Sequence, residues 1–428
     1  MPREEKFQSN AFGAEQRSCL IATLGLLLFS LACAAWRLSS FGPGFPGSES
    51  YSTIALQVLD TGAFQTAFRP PIYPLFLAVM MYLFGEQWET AAVIVQAILS
   101  AGVGVLIYRF AARLAHSERA GIVAALLYVS NALYQFEATA KRETTLFTLF
   151  FLLFFWAALF IRKPSTKYIV LALTAALALL LRPNAVALLP VGAVILFLDI
   201  RKGGFSPTVL LFPILLFLAL IVPWQLFVRG VTGSYPLTTS ANSGQVLWKG
   251  NHEHLLAVWP SADIDLIEGE MTKGIGGVNI TTAEGDRLLK EQAVAFIKAQ
   301  PVLALRLAAA KAALFFAPFP IPYGDGELVY HNGTPSFTEF RYRNKLLLAG
   351  STLHSIILIF GAFGFMATAW RGSEEQRLAA TMAIIVTLVL LAVHTLSYPE
   401  SRYRWPLDIL WTVIAAEFLA RRFWSRSP

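Results

Sequence analysis

Long apolar runs separated by short polar connections dominate the chain. A helix needs about 20 mostly apolar residues to cross a bilayer, and ten segments approach that length. They are 19–38, 90–108, 120–136, 144–161, 168–181, 184–200, 208–227, 346–370, 379–397 and 405–420. The fifth and sixth are short and are separated only by Arg182 and Pro183. The pattern predicts an all-α multi-pass membrane protein with about ten transmembrane helices.

Two further apolar stretches are less suited to crossing a membrane. The stretch 70–85 is short and begins with two prolines, and the stretch 302–317 contains Arg306 and Lys311. Charged side chains at the centre of a bilayer are costly. We therefore expect both stretches to form juxtamembrane helices on the outer surface.

Basic residues in the connections predict the orientation, because cytoplasmic loops are enriched in lysine and arginine. If the N-terminus is cytoplasmic, every second connection between spans also faces the cytoplasm. These connections and the two tails contain most of the lysine and arginine residues found in short loops. These are Arg3, Lys6, Arg17, Arg109, Arg113, Arg119, Arg162, Lys163, Lys167, Arg201, Lys202, Arg371, Arg377, Arg421, Arg422 and Arg426. We expect a protein of the cell (inner) membrane with both termini in the cytoplasm.

The predicted spans divide the chain into five parts. These are a cytoplasmic tail 1–18, an N-terminal transmembrane module 19–227 with an outer loop 39–89, a long outer loop 228–345 with surface helices, C-terminal transmembrane helices 346–420, and a cytoplasmic tail 421–428. Long loops held on a rigid scaffold often carry function. We therefore expect the functional site in the outer loops, at the membrane surface.

Composition agrees with a membrane protein. Hydrophobic residues make up 56% of the chain, charged residues only 14%, and the mean hydropathy is +0.57, whereas an ordinary soluble domain is about 25% charged. The net charge of +7 is explained by the basic loops, and no folded basic domain indicates nucleic-acid binding. Membrane lipids are the expected surroundings.

Charged and aromatic residues gather at the outer ends of the predicted spans, while the spans themselves are mostly leucine, alanine, phenylalanine and valine. The outer residues are Glu49, Tyr51, Arg69, Tyr73, Glu137, Lys141, Arg142, Glu143, Arg182, Tyr398, Glu400, Arg402, Tyr403 and Arg404. Carboxylates mixed with a surplus of cations suit an anionic lipid headgroup and an acid–base step. A site at the membrane–water interface is predicted.

Six phrases occur in an order typical of a known family. They are YSTIALQVLDTGAF with RPPIYPLFLAVMMYLFG, KRETTLFTLFFLL, LLLRPNAVALLP, TTSANSGQVLWKGN, AVAFIKAQPVLALRLAAAKAALFF and SRYRWPLDILW. With these motifs in this order, the chain resembles the bacterial GT-C glycosyltransferases of family 39. These are of the protein-mannosyltransferase and aminoarabinose-transferase type. The resemblance extends from about Trp36 to Trp411, and its most specific pieces are RPP-x-YP, RP-N and RYR-x-P.

The resemblance implies a GT-C helical bundle that takes a monosaccharide from a polyprenyl-phosphate carrier on the outer face. The acceptor, a glycolipid, glycan or protein, attacks the anomeric carbon, and a single displacement inverts its configuration. A carboxylate in the first outer loop takes the acceptor proton, cations stabilise the leaving phosphate, and a hydrophobic groove between helices holds the lipid tail.

The resemblance also implies site residues. The family places an acid about four residues before the loop tyrosine, but that position here is Gly47, and Glu49 is the nearest acid to Tyr51. Glu49 is the first candidate for the catalytic base, Asp60 is the other acid in the loop, and Glu143 matches the family's acid at the start of the fourth span. The substrate-binding and phosphate-binding candidates are Tyr51, Arg69, Tyr73, Lys141, Arg142, Asn251, Arg402, Tyr403 and Arg404.

Other polar residues have simpler explanations. Arg182 is expected to close the turn between two short spans, because Pro183 stops the helix there. His252 and His254 resemble a metal pair, but their spacing does not suit one helix face and no third ligand is evident. The sequence identifies no cofactor, and a divalent metal ion at this pair is the alternative left open.

Two other classes of membrane protein fit parts of the pattern. A flippase or transporter of lipid-linked glycans would need symmetric halves, broken helices and midplane polar residues, and none is visible in the sequence. A glycan polymerase or ligase also has a large basic outer loop, but it would lack the ordered RPP-x-YP and RYR-x-P phrases. The glycosyltransferase is the preferred hypothesis, with the sugar and the acceptor left open.

Overall fold

The computed structural model describes most of the chain. The described ranges are 2–42, 49–203, 206–233, 239–252, 255, 259, 279, 282–318, 328–331, 334–337, 345–397 and 401–424. Side chains are described in the same ranges except at 2–18, 41, 49, 133, 207, 328–331, 334–337, 345–347, 401, 402 and 424.

Helices account for nearly all of the described secondary structure. They are α1 Pro2–Phe41, α2 Glu49–Thr61, α3 Ile72–Phe84, α4 Trp88–Ala115, α5 Glu118–Ser130, α6 Ala132–Ala138, α7 Thr144–Phe160, α8 Pro164–Leu179, α9 Leu188–Arg201, α10 Leu211–Thr232, α11 Ser243–Lys249, α12 Ala283–Ala299, α13 Pro301–Phe315, α14 Lys345–Ala369, α15 Glu374–Leu396 and α16 Ser401–Trp424. Short 3₁₀ turns cover Gly85–Gln87, Pro183–Ala187 and Pro207–Leu210, and two strands, β1 Leu328–His331 and β2 Thr334–Phe337, pair as an antiparallel hairpin.

The predicted membrane-spanning character is confirmed, although the exact number of spans is not. All ten predicted segments are helical, with the third divided between α5 and α6 at Asn131. Within the described residues, six helical segments are long and apolar enough to cross a membrane, or seven if a bent pair counts as one span. Helices α7 and α8 are shorter but apolar. The protein is a multi-pass helical membrane protein.

The predicted surface helix over 70–85 is continuous with the next apolar segment. Helix α3 passes through one 3₁₀ turn, Gly85–Gln87, into α4, and together they form an apolar segment of 44 residues, Ile72–Ala115. Helix α13, which includes most of the other predicted surface stretch, meets α12 at an angle of 107°. Pro301 begins α13, where its fixed backbone angle suits a first helical position. Their placement on the membrane surface stays a prediction.

Side-chain caps begin several of these helices. Ser373 and Gln376 form a reciprocal capping box at the start of α15, which satisfies backbone N–H groups that have no partner within the helix. Thr282 caps α12 by accepting from the Gly285 N–H at 3.1 Å, and Asn131 caps α6 by accepting from the Tyr134 N–H at 3.1 Å.

Small residues set the distance between α14 and α16. A Cβ atom added at Gly361 would lie 2.5 Å from the Cβ of Ala415, so the two helices are in contact through backbone at this point. Without a hydrophobic driving force between helices in lipid, close packing at small residues is a main source of helix association.

One end of the bundle gathers the basic connections. Arg162 after α7 pairs with Glu375 at the start of α15, with 2.5 Å between nitrogen and oxygen. The Gln376 amide donates to the carboxylate of Glu417 in α16 at 2.8 Å and to the carbonyl of Leu114 in α4 at 3.3 Å. The ends predicted to face the cytoplasm are therefore brought together on one side of the protein.

Candidate active site

The other end of the bundle is organised around the break between α8 and α9. The last carbonyl groups of a helix have no partner within it, and here they bind neighbouring loops. The Leu180 carbonyl accepts from the Ile72 N–H at 3.2 Å, and the Leu179 carbonyl accepts from the Thr239 hydroxyl at 2.6 Å. The Ala241 N–H donates to the Ala67 carbonyl at 2.8 Å. Three segments distant in sequence are thereby joined.

A cavity of about 350 Å³ lies where these segments meet. Its wall comes from α2, the α2–α3 connection, the start of α7, the α8–α9 break, α11 with its preceding loop, the end of α15 and the start of α16. The lining includes Tyr51, Arg69, Glu143, Arg182, Asn184, Ser240, Asn242, Leu390, Val393, His394, Leu396 and Tyr403. Four of the predicted site residues, Tyr51, Arg69, Glu143 and Tyr403, therefore share one cavity.

The charged part of this cavity contains a buried ion pair. The Arg182 guanidinium Nε donates to the Glu143 carboxylate, and a second guanidinium nitrogen lies 3.4 Å from the Thr144 hydroxyl. Burial acts to raise the pKa of Glu143, but the Arg182 charge and hydrogen bonds from Arg182 and Tyr51 outweigh it and lower that pKa to about 2. Glu143 is therefore a carboxylate at neutral pH and a weak proton acceptor.

Tyr51 connects this ion pair to the first outer segment. Its ring is fully buried in α2, and its hydroxyl hydrogen-bonds to Glu143. Burial and the nearby negative charge of Glu143 raise the pKa of Tyr51, so the phenol keeps its proton and acts as a hydrogen-bond donor.

Arg69 occupies the neighbouring part of the wall. Its Nε donates to the Ser50 hydroxyl at 3.1 Å, and its guanidinium lies 5.1 Å from the centre of the Tyr51 ring and 4.9 Å from that of Phe68. Stacking on aromatic faces fixes a planar guanidinium in position. Since guanidinium groups match phosphate geometry in two-point contacts, the orientation of Arg69 suits an anionic ligand.

A second layer supports the turn that carries Glu143. Tyr73 lies edge-on to Tyr51 with 4.9 Å between ring centres, and its hydroxyl donates to the Gln96 side chain at 2.6 Å. The Gln96 amide nitrogen in turn donates to the carbonyls of Ala138 and Ala140. Tyr73, predicted as a binding residue, is buried behind the cavity wall and does not line it.

Lys141 and Arg142, predicted to bind phosphate, lie on this same turn but outside the cavity lining. Lys141 pairs with Glu89, with 2.5 Å between nitrogen and oxygen, and Arg142 pairs with Glu137 at 2.8 Å. Both cations thus have carboxylate partners within the protein, which stabilises the turn before α7. Their role in substrate binding stays a prediction.

Arg404 and Asn251 form buried links between elements instead of lining the cavity. Arg404 pairs with Asp408 at 2.9 Å and donates to the carbonyls of Phe315 and Ala317 at 2.7 and 2.9 Å. The Asn251 amide donates to the Leu396 carbonyl at 2.9 Å. These contacts hold the ends of α13 and α15 in place beside the cavity, and the predicted substrate contacts of both residues remain untested.

Two predicted residues lie partly outside what is described. The backbone of Glu49 begins α2, next to Ser50, but its side chain lies outside the described residues, as does the side chain of Arg402. Asp60 is near the other end of α2. Neither Glu49 nor Arg402 is therefore assigned a contact.

The candidate metal pair is only half described. The His252 ring stacks on Trp248 with 5.0 Å between ring centres, and His254 lies outside the described residues. Within the described part of the chain, no three histidine, cysteine, aspartate or glutamate side chains group closely enough to hold a metal ion.

Three residues of the cavity were not predicted as site residues from the sequence. Arg182 was expected only to close a turn, yet its side chain lines the cavity and pairs with Glu143. Asn184 and His394 were not considered, and both line the same cavity. The RP-N phrase around Arg182 was the available signal for two of them, whereas His394 lies in an otherwise apolar helix where an ionisable residue is itself a sign of function.

Comparison with solved structures places this architecture in a known class. The archaeal oligosaccharyltransferase AglB from Archaeoglobus fulgidus, in complex with an inhibitory peptide and a dolichol-phosphate, aligns with a TM-score of 0.55 and 14% identity, covering 96% of this chain and 51% of that one. The same organism's oligosaccharyltransferase tethered with an acceptor peptide aligns with a TM-score of 0.54 and 14% identity, covering 95% and 49%. The protein thus has the GT-C-type helical fold, and it spans about half the length of these relatives.

The family comparison adds a more specific resemblance. Residues 68–227, from the α2–α3 connection through most of α10, match the family described as dolichyl-phosphate-mannose-protein mannosyltransferase. This region contains Arg69, Glu143 and Arg182. The resemblance to GT-C glycosyltransferases of the family 39 type is confirmed.

Two other comparisons are weaker. ArnT from Cupriavidus metallidurans, bound to undecaprenyl phosphate, aligns at 13% identity over 87% of this chain and 72% of that one, with a TM-score of 0.36. No curated protein sequence matches the chain.

Proposed function

We propose that the protein is a membrane glycosyltransferase that moves a monosaccharide from a polyprenyl-phosphate carrier to an acceptor on the outer face of the membrane. The observation that carries this proposal is the mixed character of one cavity. Arg69, Arg182 and Glu143 form a charged side, while Leu390, Val393 and Leu396 of α15 form an apolar side. A lipid phosphate needs both surfaces at once, because its headgroup is anionic and its tail is apolar.

The two arginines are the proposed phosphate-binding groups. When the sugar leaves its carrier, negative charge develops on the phosphate oxygen, and oriented cations in a water-poor cavity stabilise that charge strongly. Arg182 is held by Glu143, and Arg69 is held by Ser50 and the two aromatic rings. Tyr403 lines the same cavity and is a further binding candidate.

Glu49 is the proposed base that takes the acceptor proton. Its backbone is next to Ser50, whose hydroxyl binds Arg69, so Glu49 belongs to the segment that borders the cavity. Glu143 is less suited to this role, because a carboxylate with a pKa of about 2 accepts a proton poorly at neutral pH. We assign Glu143 to positioning Arg182 and Tyr51.

The proposed reaction is one displacement. The acceptor hydroxyl oxygen bonds to the anomeric carbon, the bond from that carbon to the phosphate oxygen breaks, and Glu49 receives the hydroxyl proton. The polyprenyl phosphate leaves with the bonding electrons. One displacement inverts the anomeric configuration.

The outer face is proposed from the arrangement of charges. The cavity lies at the start of α7 and the end of α15, whereas Arg162 and Glu375 lie at the opposite ends of these helices. Because basic residues favour the cytoplasmic side, the cavity end is assigned to the extracytoplasmic side of the inner membrane.

Reconstitution tests this proposal. The purified protein in lipid nanodiscs is first assayed for binding of undecaprenyl phosphate, and then for release of undecaprenyl phosphate from sugar-linked donors when an extract of cell-envelope lipids and glycans is added as acceptor. We expect saturable binding and acceptor-dependent release. Absence of both binding and release would overturn the proposal, and movement of an intact donor across liposomes without cleavage would instead support a flippase.

A further inference from the structure

Two polar side chains line the cavity with buried hydrogen-bonding atoms. Both polar atoms of the Asn184 amide are buried, as are both ring nitrogens of His394, and none of the four has a hydrogen-bond partner among the described residues. His394 is only 5% exposed. Buried polar groups are nearly always hydrogen-bonded in folded proteins, so these atoms indicate a place for a polar ligand.

The two side chains come from facing elements. Asn184 lies in the 3₁₀ turn Pro183–Ala187, two residues after Arg182, and His394 lies in the last turn of α15. Helix α15 packs against this 3₁₀ turn, and both residues line the cavity. Asn184, His394 and Arg182 therefore belong to the lining of one cavity of about 350 Å³.

The chemistry of the two side chains favours hydroxyl groups. An amide both donates and accepts hydrogen bonds, and a neutral imidazole has one donor and one acceptor nitrogen. A phosphate offers only acceptors and a lipid tail offers neither, whereas sugar hydroxyls donate and accept. The neighbouring Ser240, Asn242 and Ser243 also line the cavity and offer the same uncharged chemistry.

The charges of the cavity wall restrict the sugar further. Among its described lining residues the carboxylate is that of Glu143, and it is already paired with Arg182. Arg69 and Arg182 make the remaining charge positive. A protonated amino group on the sugar would have two arginines nearby, and the one carboxylate among the described lining residues is already paired with Arg182. The proposed base Glu49 is assigned to the acceptor hydroxyl, and like charges placed together weaken binding.

We propose that Asn184 and His394 form the sugar subsite of the donor and that this subsite selects an uncharged, hydroxyl-bearing sugar over an amino sugar. The subsite rests on the proposed function, because it presupposes a phosphate-linked sugar in the cavity. It goes beyond that function by naming the sugar class and the two residues that recognise it.

Two substitutions test the residues. Asn184→Leu and His394→Leu remove hydrogen-bonding atoms that have no partner in the described part of the chain, and such a removal is close to neutral for stability. We expect thermal unfolding midpoints equal to or above that of the wild type, together with about a tenfold lower kcat/KM for a neutral-sugar donor from each substitution. Binding of sugar-free undecaprenyl phosphate should be unchanged.

The control is His116→Asn. His116 follows the last residue of α4 and does not line the cavity. His116 is exposed and has a left-handed backbone conformation with φ 51°, which asparagine tolerates. This variant should keep both kcat/KM and stability. Loss of stability in the two leucine variants with unchanged kcat/KM would overturn the subsite, because it would assign Asn184 and His394 to the folded scaffold alone.

A pair of donors tests the sugar class. Undecaprenyl phosphate linked to a neutral hexose is compared with the same donor in which one hydroxyl is replaced by an amino group. We expect the amino donor to compete with a labelled neutral donor about tenfold more weakly. Equal competition would overturn the selectivity while leaving the glycosyltransferase intact, and failure of sugar-free undecaprenyl phosphate to bind would overturn both.

Discussion

The Arg182 guanidinium forms an ion pair with the Glu143 carboxylate, and the two side chains are only 8% and 9% exposed. Glu143 comes directly before α7, and Arg182 lies in the break between α8 and α9. Two buried charges are tolerated only when they are paired and hydrogen-bonded, and here Tyr51 and Thr144 provide further contacts. The pair fixes an arginine at the wall of an otherwise largely apolar cavity.

Breaking this pair should destabilise the protein strongly. Glu143→Gln leaves the Arg182 charge buried without a counter-charge, and we expect a loss of about 3–5 kcal/mol in the free energy of unfolding. Tryptophan fluorescence during thermal unfolding in detergent measures the change. Glu375→Gln is the control, because it removes an ion pair whose arginine is 74% exposed, worth about 0–1 kcal/mol. Similar losses for the two variants would contradict the assigned burial.

The same pair predicts a pH dependence of stability. The pKa of Glu143 falls from 4.5 to about 2 on folding, so the unfolded chain takes up this proton at a higher pH than the folded protein does. The resulting stabilisation is complete above pH 4.5 and is lost as the pH falls through 2. The difference in unfolding midpoint between the wild type and Glu143→Gln should therefore be constant from pH 7 to 5 and smaller at pH 3. An equal difference at pH 7 and pH 3 would exclude the depressed pKa.

Arg69 should contribute directly to donor affinity. Arg69→Gln removes a cation that is stacked on two rings at the cavity wall, and hydrogen bonds to charged groups contribute about 1.5–3 kcal/mol. We expect the Kd for undecaprenyl phosphate to rise about 10- to 100-fold. Arg162→Gln, at the opposite end of the bundle, removes the same charge from the protein and should leave the Kd unchanged. If the two substitutions raised the Kd equally, the effect of Arg69 would come from the net charge of the protein and not from direct contact with the phosphate.

Glu49 should act on turnover and not on donor binding. Glu49→Gln keeps the size of the side chain but removes the proton acceptor, and general-base catalysis contributes about 100- to 10,000-fold. We expect kcat to fall by that factor while the Kd for undecaprenyl phosphate changes little. Normal turnover by this variant would show that another group takes the acceptor proton, without changing the proposed class of enzyme.

The contact between α14 and α16 should be sensitive to side-chain size. Gly361→Val places methyl groups against Ala415, where a Cβ alone would lie at 2.5 Å, and overpacking of this kind costs about 1–3 kcal/mol. Gly350→Val in the same helix has open space around its Cβ and should be nearly neutral. Thermal unfolding in detergent compares the two variants. Equal unfolding midpoints would mean that α14 and α16 accommodate the larger side chain without loss of stability.

The site could be predicted in part from sequence because its residues belong to recognisable phrases. Arg69 in RPP-x-YP and Glu143 in KRETT were candidates, and both line the cavity. Lys141 and Arg142 have the same local sequence signal as Glu143, but they bind Glu89 and Glu137 instead. A sequence motif predicts that a charged residue lies near an outer helix end. The side chain that pairs with this charge comes from another helix, so the pairing depends on how the helices pack.

By itself, the sequence determined that this protein crosses the membrane many times and that its charges lie at the ends of the helices. Those features follow from hydrophobic segment length and from the cost of charge in lipid, which act locally along the chain. Only the tertiary structure decided which charges meet. Arg182 joins Glu143 across 39 positions, and Asn184 and His394 line the same cavity, because the α8 carbonyls bind loops that no local pattern connects.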